Sequence, residues 1–212
     1  MRRARLPLLA AALLLPASPA PADAPARSQW VLATAKATGQ GGEQFVSSLR
    51  IVNPGAETAT VKVTYLAQSL IDASNAASGD NTGAATALLT VAGGETLAVE
   101  DVLGTLFGAG LAPFGVPAGG LHVTSDRPVS VLSRTFVANA RSSTGVPGTY
   151  GFAIPAQVES QAVSPGDTAF VSYVAASPDA RSGFRSNFIM LNTSSSPAVV
   201  NVDLRKGDGT SV

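Results

Sequence analysis

The segment FVSSLRIVNPGAETATVKVTY, residues 45–65, recurs without a gap as FRSNFIMLNTSSSPAVVNVDL, residues 184–204, at an offset of 139 residues. Six positions are identical between the two copies, and apolar residues replace one another at most of the remaining apolar positions. A repeat at this spacing indicates tandem structural modules. The second copy begins close to the last residue of the sequence, Val212.

Within each copy, apolar and polar side chains alternate with the period of a half-buried β-strand. In the first copy, residues 45–52 and 59–65 place their apolar side chains on one face, and Asn53-Pro54-Gly55 between them is typical of a turn. We therefore expect a β-hairpin with one buried face. The second copy predicts the same hairpin, with Val200 and Val202 facing inward.

Alternation and turn residues predict further strands outside the repeat. They lie at residues 30–37, 86–92, 96–99, 121–125, 128–138 and 148–155, and residues 169–176 open the second copy as 30–37 open the first. Gly93-Gly94 and residues 125–128 supply turns between them. Seven or so short strands favour an all-β fold, an antiparallel β-sandwich that is immunoglobulin-like in architecture, followed by a partial second copy.

One short helix is predicted at residues 99–107, where apolar side chains follow helical spacing. Glu100 and Asp101 are expected in its first turn, where negative charge is favoured, and Gly108 is expected to end it. Two loops are predicted around this region, at residues 73–83 and 109–120.

The N-terminus has the features of a secretory signal peptide, residues 1–26. Three arginines precede the short apolar run LPLLAAALLLP, and Ala24-Pro25-Ala26 fits the A-x-A cleavage rule. The run is shorter than the roughly 20 apolar residues that span a bilayer. The protein is therefore predicted to be secreted, extracellular or on the cell surface, with the periplasm as another destination.

The predicted organisation is a β-sandwich module at residues 27–158, a linker at 159–166 and an incomplete second module at 167–212. Three arrangements of the second module are open. In the first, the chain is a fragment and the second module is loosely ordered. In the second, the strands of the second module dock on the sheet edge of the first. In the third, the repeat is internal to one sandwich and its two hairpins lie on opposing sheets. We favour the fragment, because about three strands have little core of their own.

The amino-acid composition makes some classes of function less expected. Removing residues 1–26 takes away three arginines and Asp23, which leaves 11 basic against 13 acidic residues and no basic cluster, so nucleic acid is not an expected partner. No later segment is long and apolar enough to span a membrane. The sequence has no cysteine and one histidine, which gives little support to disulfides, a zinc centre or another cofactor.

Candidate catalytic groups have simpler structural explanations, so no catalytic, cofactor or metal residue is assigned and no enzyme is predicted. His122 could be the base of a serine hydrolase, but it lies on the predicted outer face of a strand, and G-x-S-x-G is absent. Glu100-Asp101 could form a glycosidase pair, although helix entry explains both. Asp80-Asn81 and Asp179 could bind calcium, but turn residues explain them better.

Polar and aromatic residues give the remaining candidates. Asn53 and its counterpart Asn192 are expected to set turns through backbone hydrogen bonds. Tyr150 and Phe152 share one strand face and are expected in the core. Three other aromatic residues could reach solvent and stack on a sugar, although packing is favoured. They are Trp30, Phe114 and Tyr173.

Five motifs together resemble uncharacterised tandem β-sandwich repeats of secreted bacterial proteins. They are FVSSLRIVNP at 45–54, DVLGTLFG at 101–108, SRTF at 133–136, GTYGFAIP at 148–155 and FRSN at 184–187. The resemblance covers most of residues 30–204 and implies an exported accessory or surface module without known catalytic residues. The chain departs from the tandem pattern because it ends inside the second copy.

The leading hypothesis is therefore a non-enzymatic secreted or cell-surface β-sandwich module with a structural or adhesive role. The alternative is a carbohydrate-binding module of an extracellular protein. A protein or a glycan is the expected ligand.

Signal-peptide cleavage is predicted after Ala26. Cleavage after Ala20 or Ala24 would place Pro21 or Pro25 directly past the scissile bond, which disfavours those sites. N-terminal sequencing of the exported chain should begin at Arg27. A chain that keeps Met1 after export would contradict this prediction.

Overall fold

The computed structural model describes residues 24–39, 42–68, 81, 83–108, 118–142, 144–172, 174–175, 186 and 188–212. Residues 1–23 of the predicted signal peptide lie outside this range, as do most of the two predicted loops. The strands are β1 (Ala26–Thr38), β2 (Gln44–Val52), β3 (Ala59–Ala67), β4 (Thr86–Val91), β5 (Thr96–Val99), β6 (Ala118–Arg141) and β7 (Pro147–Pro155). One α-helix, α1, spans Val102–Leu106, and a 3-10 turn spans Glu159–Gln161.

All seven strands belong to one antiparallel sheet, and β6 is its central strand. The first part of β6 pairs with β1 and β3, and its last part pairs with β2 and β7. β1 also changes partner, from β6 to β2 at Lys36. The sheet thus folds over into two layers, β4-β3-β6-β1 and β7-β6-β2-β5. The prediction of an all-β antiparallel fold with one short helix is confirmed.

The core lies between the two layers and follows the predicted alternation. Leu49 and Ile51 from β2 and Val61 and Val63 from β3 are completely buried. They pack in one cluster with further buried side chains from β1, β4, β5, α1 and β6. These are Val31, Val91, Val99, Val102, Leu103, Leu121, Val123, Val129 and Val131, with Ala59, Tyr65 and Ala156.

The predicted hairpin of the first copy is wrong, because β2 and β3 lie in different layers. β2 pairs with β1, β5 and β6, whereas β3 pairs with β4 and β6. Residues 53–58 cross from one layer to the other. Asn53 anchors this crossing: its Nδ2 donates to the carbonyls of Glu57 (2.8 Å) and Val91 (2.9 Å), and its Oδ1 accepts from the N–H of Gly55 (3.0 Å).

The predicted turn at residues 125–128 is also wrong, since β6 runs through it as one strand. Pairing with β3 reaches Ser125, and pairing with β2 starts at Ser130. Pro128, which has no N–H to donate, lies between these two ladders. The strand therefore passes from one layer to the other at the point where its hydrogen-bonding partners change.

The predicted helix is present and shorter than the apolar pattern. Asp101 is its N-cap rather than part of its first turn, and the Asp101 carboxylate accepts a hydrogen bond from the N–H of Gly104 at 2.8 Å. Gly108 follows the helix with φ of +60°, a left-handed conformation that suits glycine and ends the helix as predicted. Phe107 packs against Tyr65 with 5.7 Å between ring centroids.

The described part of the second copy carries no strand and one isolated bridge, Arg205 to Ser211. Val200, Val202 and Leu204 are exposed there, so the predicted inward face is wrong in this structure. The reason is topological. In the first copy β2 and β3 are joined through β6, and no strand in residues 188–212 takes the place of β6.

Local hydrogen bonds of the repeat nevertheless recur in the second copy. Asn192 Nδ2 donates to the carbonyl of Ser196 (2.7 Å) and its Oδ1 accepts from the N–H of Ser194 (3.0 Å), the counterparts of the Asn53 bonds to Glu57 and Gly55. Both asparagines therefore set their turns, as predicted.

A second recurring bond corrects the register of the opening strand. The Ser47 hydroxyl accepts from the N–H of Ala35 at 2.8 Å, and the Ser186 hydroxyl accepts from the N–H of Ala175 at 3.0 Å. The serines are 139 residues apart, but the alanines are 140 apart. The counterpart of the first strand is therefore displaced by one residue from the predicted offset.

Replacing Asn53 by alanine should destabilise the fold by about 2–4 kcal/mol, because it removes the side-chain partner of the buried Val91 carbonyl and of the partly buried Gly55 N–H and Glu57 carbonyl. The matched control is Asn192→Ala, since Asn192 is exposed and makes the same local bonds; we expect a change within about 0.5 kcal/mol. Urea unfolding measures both. Equal effects of the two variants would contradict the role given to Asn53.

Candidate functional site

One group of candidate residues lies on the outer face of β1 and β6. Trp30 and His122 are directly opposite each other in the ladder, and their rings stack with 3.7 Å between centroids and an angle of 2° between planes. Ser28 Oγ lies 2.9 Å from Nε2 of His122, in a hydrogen bond whose donor depends on the histidine tautomer. We call Ser28, Trp30 and His122 the Trp30 cluster.

The environment of the Trp30 cluster lowers the pKa of the His122 imidazole. Burial lowers the pKa of His122 below its ordinary value of 6.5, the positive charge of Lys62 lowers this pKa further, and the charge of Glu159 opposes both. His122 was predicted to face solvent from a strand, and it does lie on the outer face, with Leu121 and Val123 buried on the other side. The stack with Trp30 covers it in part.

A histidine hydrogen-bonded to a serine hydroxyl is one part of a nucleophilic site, but the surroundings differ from those of the G-x-S-x-G hydrolases. Ser28 lies within β1, beside a register shift in its pairing with β6, rather than at a tight strand-to-helix turn. One face of the imidazole is stacked on the indole of Trp30. The geometry therefore identifies the Trp30 cluster as a cross-strand pair with a polar neighbour.

The carboxylates considered for acid–base chemistry are engaged in ion pairs. Asp101 caps α1 and its Oδ2 lies 2.5 Å from Nζ of Lys36. Glu100 Oε1 lies 2.6 Å from the guanidinium of Arg50 on β2. Both side chains therefore tie the start of the helix to the sheet.

The calcium candidates gain no support from the described residues. Asp80 and Asp179 lie outside the range that the structure describes. The Asn81 side chain accepts a hydrogen bond from the N–H of Ala67 at 3.0 Å, which is a turn-setting role. Within that range, no three His, Cys, Asp or Glu residues come together as metal ligands would.

Of the three aromatic residues considered for sugar stacking, only Trp30 belongs to the described residues; Phe114 and Tyr173 do not. One face of the Trp30 indole is covered by His122. Its Nε1 is buried without a hydrogen-bond partner among the described residues. The indole is therefore partly enclosed, unlike an open stacking platform.

The most exposed aromatic pair is on β7, where the sequence predicted core. Tyr150 is 60% exposed and Phe152 is 61% exposed. They do share one strand face: they are opposite Val137 and Thr135 of β6, which are buried. The prediction of a shared face is confirmed and that of burial is wrong, because the facing layer does not extend over β7 in the described structure.

Within the described part of the chain, the backbone of β7 also lacks a strand partner along one side. Among the described strands, β7 pairs only with β6. Its sequence PGTYGFAIP contains no charged residue. A shallow, open depression beside it is lined by Gly42, Glu43, Val137, Asn139, Arg141 and Tyr150. We call Pro147–Pro155 with its unpaired side the β7 edge.

The comparisons with known proteins show no family. No protein-family description and no curated protein matches the sequence. The fold is similar to the crystal structure of Thermotoga maritima 1070, with 16% sequence identity and a TM-score of 0.41 over 64% of this chain and 96% of the other. Among the described residues, no helix has the length and apolar character that crossing a bilayer requires.

The sequence did not predict the Trp30 cluster or the β7 edge, because both depend on contacts between residues that are far apart in the chain. The cluster of Ser28, Trp30 and His122 depends on β1 pairing with β6, about 90 residues away, and no local pattern gives that register. The β7 edge depends on where the facing layer ends. A usable signal was present, however: nine uncharged residues bounded by prolines are unusual for an edge strand, which is ordinarily protected by charge.

The single histidine makes the environment of the Trp30 cluster measurable. We predict that His122 titrates with a pKa below 6.5, in one imidazole resonance followed by NMR. Folding lowers this pKa. The contribution of His122 to the free energy of unfolding is therefore complete above its pKa in the unfolded chain, and it is lost as pH falls through its pKa in the folded chain. His122→Phe keeps a ring on Trp30 and should remove that pH dependence. A pKa at or above 6.5 would contradict the enclosed position.

Proposed function

We propose that this chain is an exported, non-enzymatic β-sandwich module with a structural or adhesive role, which works through its surface and its sheet edges. The observation that carries the proposal is the β7 edge. It combines unpaired backbone groups, no charge and two exposed aromatic side chains, a combination that natural edge strands avoid unless they pair with something.

The engagement of the titratable candidates supports a role without catalysis. His122 is stacked on Trp30, Asp101 caps a helix, and Glu100 is paired with Arg50. Each of these groups has a structural task that accounts for its position. The predicted signal peptide and the resemblance to secreted tandem repeats support export and a place on or near the cell surface.

A carbohydrate-binding module is the second candidate, and the exposed aromatic pair favours it. Tyr150 and Phe152 project from the same face of one strand, two residues apart, as a sugar-stacking platform requires. Such a platform would lie on β7 rather than at Trp30.

The proposed adhesive role is tested with beads that carry the chain. Beads coated with the unchanged chain should bind intact cells of the producing bacterium, and a Tyr150→Asp/Phe152→Asp variant should lose most of that binding. The matched control is Leu88→Asp, because Leu88 is 73% exposed on β4, an edge strand of the other layer. Equal binding by both variants, or no binding by the unchanged chain, would refute the role of the β7 edge in adhesion.

A glycan array distinguishes the second candidate. Binding to a defined glycan that is lost in Tyr150→Ala and in Phe152→Ala, and kept in Trp30→Ala, would establish a carbohydrate-binding module. A panel of ester, peptide and glycoside substrates completes the comparison. Turnover that disappears in His122→Ala would replace both proposals with an enzyme.

A further inference from the structure

We propose that the β7 edge pairs with the β7 edge of a second copy of this chain about a two-fold axis at Gly151. This inference rests on the proposed function, since it names the partner of an adhesive sheet edge. The resulting interface would join the two copies of one layer into a continuous antiparallel sheet.

The hydrogen-bonding direction of β7 follows from its register with β6. The N–H of Ala156 donates to the carbonyl of Val131, which continues the pairing of Pro155 with Leu132. In an antiparallel ladder, bonded and non-bonded pairs alternate. The N–H and C=O groups of Thr149, Gly151 and Ala153 therefore point away from β6, toward the open side.

Those three residues select one pairing register. With the axis at Gly151, this residue lies opposite Gly151 of the second copy, and Thr149 lies opposite Ala153 of the second copy. Each of the three residues then donates and accepts one backbone hydrogen bond. An axis at Tyr150 or Phe152 brings Pro147 or Pro155 into the ladder instead, opposite Ala153 or Thr149. The three registers form equal numbers of bonds, but only the register at Gly151 forms all of them in complete two-bond pairs, because proline has no N–H to donate.

The side chains fit the same register. Tyr150 lies directly opposite Phe152 of the second copy, in a non-bonded pair where side chains are closest. Two such aromatic pairs would cover the four exposed rings on one face. Aromatic cross-strand pairs stabilise sheets, and the absence of charge on β7 means that like charges do not oppose the pairing.

Other open surfaces fit a second copy less well. On β4 the inward side chains Leu89 and Val91 pack against the core, and the exposed Leu88 lies beside Lys62. Two copies of β4 would therefore bring lysines near each other while burying little apolar surface. The β7 edge alone, among the described strands, offers exposed aromatic side chains together with a free backbone.

The area predicts a weak interface. At about 60% exposure, each ring offers on the order of 100 Å². Four rings and the strand backbones fall below the roughly 1,200–2,000 Å² of a stable complex. We therefore expect a dissociation constant on the order of 100 µM, strong enough for surfaces that carry many copies.

The first experiment is sedimentation velocity of the full chain over a concentration series. The unchanged chain should dimerise reversibly. Ala153→Pro should raise the dissociation constant by roughly tenfold or more. The substitution removes one N–H donor from each copy, and therefore two from the two-fold dimer. Ala153→Val keeps the N–H and should dimerise like the unchanged chain, with circular dichroism showing that both variants are folded.

The second experiment tests the register by disulfide trapping, which the absence of native cysteine makes specific. An oxidised mixture of Tyr150→Cys and Phe152→Cys chains should give mixed disulfide dimers, because non-bonded pairs have Cα atoms about 4.5 Å apart, within disulfide range. Each variant alone should give little dimer.

Three results would overturn the inference. They are a chain that stays monomeric up to about 1 mM, a dimer unaffected by Ala153→Pro, and disulfides that form as readily in either cysteine variant alone. The proposed function fails separately, when coated beads do not bind cells although the chain dimerises. Beads that bind cells although the chain is monomeric would leave adhesion standing and assign the β7 edge to a different partner.

Discussion

The fold depends on the double pairing of β6. Its first part joins β1 to β3, its last part joins β2 to β7, and its inward side chains fill the space between the layers. Leu121, Val123, Val129 and Val131 are all fully buried, at about 1.5–3 kcal/mol of transfer free energy each. Without β6 the two layers would lose the strand that joins them and a large part of the core between them. The described part of the second copy, residues 188–212, keeps the apolar alternation of β2 and β3 and forms neither strand.

The side-chain hydrogen bonds of the Asn53 and Asn192 turns form in both copies of the repeat, whereas, among the described residues, the strand pairing forms only in the first. The turn at Asn53 and the turn at Asn192 use the same bonds to the residues two and four positions ahead. Only the first turn adds a bond to Val91 of β4 and becomes buried. The repeat thus contains two kinds of information. Its polar residues specify local turns without help, whereas its alternating apolar residues specify strands only when a central strand supplies partners.

This division explains what the sequence could predict. Alternation placed Leu49, Ile51, Val61 and Val63 in the core, and glycine, acidic residues and spacing located α1. Pairing was not accessible, because β2 and β3 lie next to each other in sequence and in different layers. Tyr150 and Phe152 show the limit most clearly. Their pattern is that of a core strand, and their exposure follows from the extent of the facing layer, which depends on distant residues.

The exposed aromatics are a consequence of how this sheet closes. The chain after β7 is bonded to β6 as far as Ala156, and the next residue, Gln157, exchanges two backbone hydrogen bonds of 2.8 Å with Trp30 of β1. That contact almost closes the sheet on the side of the Trp30 cluster and draws the chain away from the start of β7. The inward face at Tyr150 and Phe152 is left beyond the end of the core cluster. The same chain segment, from Pro155 to Gln157, therefore accounts both for the enclosed position of Trp30 and for the open β7 edge. The open edge therefore belongs to the architecture of this sheet, and the proposed second copy would extend the layer that β6 begins.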